Sequence, residues 1–170
     1  MKTACLDSGH STHAARPCAA QMRDDGDNIM TTLTLAQANT IITTALAEAR
    51  KAGYKAMAVV VLDDAGHVKA VQREDGASMF RIDVATGKAW ASVGFSASSR
   101  TLMQRAKDNP NFYGSLSAVS QGKFIPQTGS VVIKNAAGAV IGAVGASGGT
   151  GDEDEAICVA GVAAAGLQHA

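Results

Sequence analysis

The sequence predicts an α+β domain, a mostly antiparallel sheet with helices packed on it. Two segments carry the prediction: residues 57–73, which run MAVVVL, DDAG and HVKAVQR, and residues 131–140, VVIKNAAGAV. Each reads as β-rich runs joined at an Ala-Gly turn, and hairpins of this kind pair strands antiparallel, where βαβ crossovers would pair them parallel. Helical periodicity before, between and after these hairpins supplies the covering layers. A chain of 170 residues is the size of one domain and can bury a sizeable core without staples.

The elements follow in order. Thr34-Leu35-Ala36-Gln37 is a capping box. Behind it Leu35, Ala38, Ile42, Ala45, Leu46 and Ala49 share one helical face, and Arg50, Lys51 and Gly53 close the helix. The first hairpin comes next, with Gly66 free to take positive φ in its turn. From Phe80 to Phe95, Ile82, Ala85, Ala89 and Val93 stand at helical spacing, with Gly87 as a weak point. Ser99 to Lys107 gives a further helix that Asn109-Pro110 stops. Residues 112–127 contain Gly114, Gly122 and Pro126 and read as an irregular loop, whose Phe112-Tyr113 pair is a candidate binding wall. The second hairpin echoes the first, VVIKNAAGAV against VVVLDDAGHV, and two copies are too few for a solenoid. A last helix, AICVAGVAAAGL, follows the acidic run after Gly151.

Composition restricts the partners. Fifteen basic and fifteen acidic residues cancel to a net charge of +0 with a pI near 6.9, so no global field draws the chain to nucleic acid or anionic membrane. No apolar run approaches the ~20 residues of a membrane span. Residues 1–29 lack apolar periodicity and the apolar core of a secretory signal, and are set aside as a disordered leader or a mis-assigned start. The domain is taken as 30–170. Cys5, Cys18, His10 and His13 fall in the leader at no zinc spacing. Cys158 is then the single cysteine of the domain, which allows no disulfide within it and makes the cytoplasm the expected location.

The stretch GASGGTGDEDEA, Gly145 to Ala156, raises a phosphate cradle, a cation site and a plain helix start as alternatives. Four acids in the first turn repel phosphate, and no G-x-x-x-x-G-K-[ST] pattern is present. Thr150 or Asp152 as N-cap, with Glu153 or Glu155 three residues on, makes a capping box. Asp152 and Glu155, neighbours at i,i+3, also remain candidates for holding a cation or polar ligand.

Taken together, the leading L-T-x-x-x-A helix, V-V-x-D-x-x-G, Asp75-Gly76-Ala77, Gly87-Lys88-Ala89 with Phe95 after it, I-G-A-V-G-A-S-G and D-E-x-x-x-x-A-G resemble the GlcG–HbpS family, which includes the C-terminal domain of PduO proteins. The resemblance covers Thr32 to Leu167. It implies a five-stranded antiparallel sheet, assembly into homo-oligomers, and a small ligand, with haem or iron as the cofactor in some members, sensed or degraded.

Haem needs an axial ligand, and the candidates here are His67, beside the first hairpin turn, and Tyr113 as a phenolate. No C-x-x-C-H motif provides covalent attachment. An alternative is an enzyme or accessory protein of small-molecule catabolism, such as that of organic or aromatic acids, built around Asp75 and Lys88. Lys88 lies on a helical stripe with Arg81, Val84, Ala91 and Phe95, where an amine can anchor a carboxylate or propionate or act as a base if buried. A third reading is an oligomeric scaffold without catalysis. The predicted pocket gathers Asp75, Gly76, Lys88, Phe112, Tyr113, Gln127, Thr128, Gly129, Ser147, Gly148 and Gly149, whose glycines let a ligand approach the backbone closely.

Overall fold

The computed structural model describes residues 32–170; the leader expected over 1–29 lies outside them. Five helices and five strands follow one another as α1 (Leu35–Lys51), β1 (Ala58–Asp63), β2 (Val68–Arg73), α2 (Phe80–Phe95), α3 (Ser99–Asp108), α4 (Pro110–Val119), β3 (Ser130–Lys134), β4 (Val140–Ser147), α5 (Gly151–Ala164) and β5 (Gln168–His169). The sheet order is β2-β1-β4-β3-β5, and every neighbouring pair is antiparallel. The α+β class, the two hairpins and the antiparallel sheet are as the sequence reading has them.

The sheet is covered on both faces, because its central strands carry apolar side chains in both directions. Val59 and Val61 point to the layer of α1 and α5, where they meet Ile41, Ile42, Ala45, Ile157 and Val162. Val60 and Leu62 point the opposite way, to Ala85 and Ala89 of α2. This is why β1 reads as a continuous run instead of an alternating one. A smaller aromatic core, Tyr113 and Phe124 with Phe95, joins α2 to α3 and α4.

The caps explain the boundaries. Thr34 accepts the Gln37 N–H while Gln37 Oε1 accepts the Thr34 N–H, both halves of the predicted box. At α5 the choice left open falls on Thr150 with Glu153.

One element corrects the sequence reading. The segment read as a loop, 112–127, is helical in its first half: Phe112 to Val119 belong to a ten-residue helix, α4, that starts at Pro110. Asn109 caps it by accepting the Phe112 N–H, and Pro110 sits in the first turn, where a missing N–H removes nothing. Asn-Pro therefore ends α3 and starts α4 at once. The two-residue strand β5 is too short to leave a periodic signal, and the second strand of the second hairpin, β4, lies at the centre of the sheet and runs on to Ser147.

Candidate functional site

The site is built at the C-terminal end of β4, where the chain passes through Ser147-Gly148-Gly149 into α5. The first three turns of α2 cross this strand end, bringing Arg81, Val84 and Lys88 to one face. α3 is fixed opposite by a serine cluster. Ser99 Oγ accepts the Ser130 N–H at 2.8 Å and donates to the Ser130 carbonyl at 3.1 Å, while Ser130 Oγ bonds Ser92 Oγ at 3.0 Å. Pinned at Ser99, α3 carries Arg100 and Met103 over the same space. The result is a cleft of about 500 Å³ between α2, α3 and the start of α5, with Gln127, Thr128 and Ser147 in its wall.

At the floor lies a buried ion pair. Lys88 Nζ donates to Asp154 Oδ2 at 2.8 Å and to the Ala146 carbonyl at 3.1 Å. The side chains are 7% and 2% exposed. The other carboxylate oxygen of Asp154 accepts the Gly149 N–H at 3.0 Å. Burial pushes the Asp154 carboxyl above the ordinary carboxylate range, and the Lys88 ammonium and the Gly149 N–H offset only part of that. Gly129 packs directly against the pair at φ +127°; a Cβ there would stand 2.6 Å from Lys88 Nζ and 2.8 Å from Asp154 Cβ.

The upper cleft is charged differently. Arg81 donates to Ser147 Oγ at 3.3 Å and has no carboxylate within 4 Å among the described residues. Arg100 at the mouth is neutralised twice: its Nε donates to Glu155 Oε2 at 2.7 Å and its Nη2 to Asp152. A guanidinium therefore lies against both Asp152 and Glu155, the pair read as a cation or polar-ligand site, and ties α3 to α5, with Asp152 also lining the cleft.

Of the predicted pocket, Lys88, Gln127, Thr128, Ser147 and Gly149 come together, with Gly129 beneath them. Gly148 lines an adjoining hollow that shares Arg81 and Gly149 with the cleft. The rest lies elsewhere. Asp75 borders a separate hollow with Arg50, Arg73 and Glu74, and Gly76 follows it in the turn after β2. Phe112 is half-exposed on α4, and Tyr113 is buried, edge-on to Phe112 and tilted against Phe95 and Phe124. His67 is exposed in the β1–β2 turn, 3.7 Å from Asp63. The helix at 110–119 is the physical reason: it turns the Phe112-Tyr113 pair into packing for α2 instead of a wall for the cleft.

Asp154, Arg100 and Met103 are the functional candidates the sequence reading passes over. Asp154 did leave a signal. It stands three, four and seven residues before Ile157, Cys158 and Gly161, which places an acid on the buried stripe of α5.

A cleft opens at the carboxyl end of a central strand, floored by a buried lysine and walled by a guanidinium, in an α+β domain with a five-stranded antiparallel sheet. A family model described as haem degrading protein HbpS-like matches residues 33–163, and the chain belongs to that HbpS-like family. Among solved structures it is similar to a PduOC:heme complex, with TM-score 0.73 and 23% identity over 81% of this chain and 97% of that one. It is also similar to a double mutant of Streptomyces reticuli HbpS, with TM-score 0.69 and 28% identity over 89% and 97%. Klebsiella pneumoniae protein ORFY gives TM-score 0.72 and 25% identity over 79% and 90%. No curated protein matches the chain.

The haem that the family implies can be tested against the residues present. Arg81 and Lys88 suit propionates. Around the cleft the iron finds only the Met103 thioether, since no His, Tyr or thiolate lines it. Cys158 is fully buried behind Asp154, and burial holds its thiol far above the range in which a thiolate forms. Among the described residues no group of three or more His, Cys, Asp or Glu could hold a metal ion. The cleft fits a carboxylate-bearing ligand, and it does not fit an iron ligated by this chain's His or Tyr.

Proposed function

We propose that this protein binds a small anionic ligand in the cleft between α2, α3 and α5, with one or more carboxylates on Arg81 and Lys88. The observation that carries the reading is the Arg81 guanidinium, set in a concave wall beside a buried ammonium and, among the described residues, without a carboxylate partner of its own. Charge-assisted hydrogen bonds of this kind are about twice as strong as neutral ones, and a partly enclosed site keeps them from being screened. Haem is one ligand of this class, held by its propionates. A small organic acid is the other, and the Lys88–Asp154 pair favours it, because buried, coupled titratable groups in a cleft are the kind that acid–base chemistry uses. No transmembrane helix enters the picture, since no helix among the described residues is long and apolar enough to cross a membrane. Self-association is the second part of the proposal, supported by the exposed Val68 and Val71 of β2 and by Met79 and Phe80.

The test is titration of the full chain with hemin, followed at the Soret band, and with malonate, followed by calorimetry. Saturable binding of either, weakened about tenfold or more in Arg81→Ala and Lys88→Met, is the expected result. Binding equal in both variants, or no binding of either probe, removes the reading.

A further inference from the structure

The floor of the cleft presents a problem in energetics. Burying two charges costs several kcal/mol of desolvation per ion, and a well-packed apolar pair of similar volume is commonly as stable or more so. The Lys88–Asp154 pair is therefore not explained by stability, and it sits where α2, β4 and α5 meet the ligand space. Its hydrogen bonds point the same way. An ammonium has three N–H groups. Lys88 gives one to Asp154 and one to the Ala146 carbonyl, which leaves the third for the cleft it lines. The carboxylate is held on its far side by the Gly149 N–H, so it is not free to follow the lysine elsewhere. Gly129, which has no Cβ, leaves the room in which the two side chains meet.

Resting on the ligand reading above, we propose that Asp154 is a positioning residue, which keeps the Lys88 ammonium charged and turned so that its third N–H meets an oxygen of the bound anion. The groups around Lys88 are Asp154, Asp152 and Cys158 from α5, Arg81 from its own helix, and Arg100 from α3. Arg100 is matched by Asp152 and Glu155, and Arg81 repels the ammonium, so among the described residues Asp154 is the one carboxylate in contact that favours its charge. Ala146 fixes direction without fixing charge. Substituting Asn for Asp154 preserves the acceptor for Gly149 and the shape while removing the counter-charge.

The experiment follows the Lys88 side chain by NMR in the full chain labelled at lysine, with Lys88→Met for assignment. The wild-type protein supplies the reference titration of the Lys88 ammonium. In Asp154→Asn its midpoint should fall by about 2 pH units or more, as for other buried, unpaired lysines. Malonate should shift the Lys88 resonance in wild type, and its affinity for Asp154→Asn should decline across the pH range in which Lys88 there loses its proton. An unchanged Lys88 midpoint in Asp154→Asn overturns the proposal. So does a Lys88→Met/Asp154→Asn protein that melts far below wild type, since the pair would then serve the fold. A shifted midpoint with no malonate effect on Lys88 upholds the charge-keeping role and removes the ligand reading instead.

Discussion

Gly129 shows how narrowly the site is specified at the scale of one residue. Its φ of +127° belongs to glycine, and the missing Cβ is the space in which Lys88 Nζ and Asp154 meet. Gly129→Ala imposes both backbone strain and overpacking against two buried charged groups. A loss of about 2 kcal/mol or more is expected in urea unfolding, together with loss of malonate binding. An unchanged midpoint would mean that the pair does not need this approach. Lys88 itself was legible: the GKA sequence on a stripe with Arg81 and Val84 identifies it before any fold is known. Asp154 was not, because in GDEDEA four acids in a row look alike. Only the rotation of α5 against the sheet decides that Asp154 turns inward while Asp152 and Glu155 turn to Arg100.

Helices set the next scale. α1 and α5 approach closely because α5 carries Gly161 where they cross; a Cβ there would stand 2.5 Å from the Ile41 carbonyl oxygen, a backbone atom that cannot move aside. Gly94 in α2 has open space around the same position. Replacing each with alanine separates propensity from packing. Gly94→Ala should stabilise by up to about 1 kcal/mol, the helix-propensity gain. Gly161→Ala should lose about 1–2 kcal/mol in the same denaturation measurement, because overpacking exceeds that gain. Equal effects at the two positions would contradict the close crossing. The caps of α1 and α5 were readable from the sequence, since a capping box is local chemistry within four residues. The start of α4 was misread for the same reason. Asn109-Pro110 is a genuine local stop signal, and the next helix begins on it, supported by the burial of Tyr113 and Leu116 against α2 and α3.

At the scale of the whole molecule, the buried carboxyl of Asp154 links stability to pH. Its folded-state pKa lies above the 3.8 of the free side chain, with desolvation the largest cause. Between those two values the native protein holds a proton that the unfolded chain has released. More protons bound in the native state means that this group's contribution to stability declines as pH rises through the window. Lys88→Met/Asp154→Asn lacks the group. Its melting temperature relative to wild type should therefore rise from about pH 4 toward neutrality, with the other carboxylates cancelling in the comparison. A difference that stays flat or falls would mean that Asp154 is not raised.

By itself the sequence determined the α+β class, both hairpins, the order of four of the five helices and the family resemblance, because these depend on periodicity, turn residues and caps within short reach along the chain. It also placed Lys88, Ser147 and Gly149 in one pocket. The tertiary structure alone decided which acid lies beneath Lys88 and which pair closes on Arg100. It also sent Asp75 to another hollow and Tyr113 into an aromatic core. Those outcomes depend on how α2, α3 and α5 are rotated and packed on the sheet. Contacts such as Lys88 with Asp154, 66 residues apart, leave no trace in local pattern.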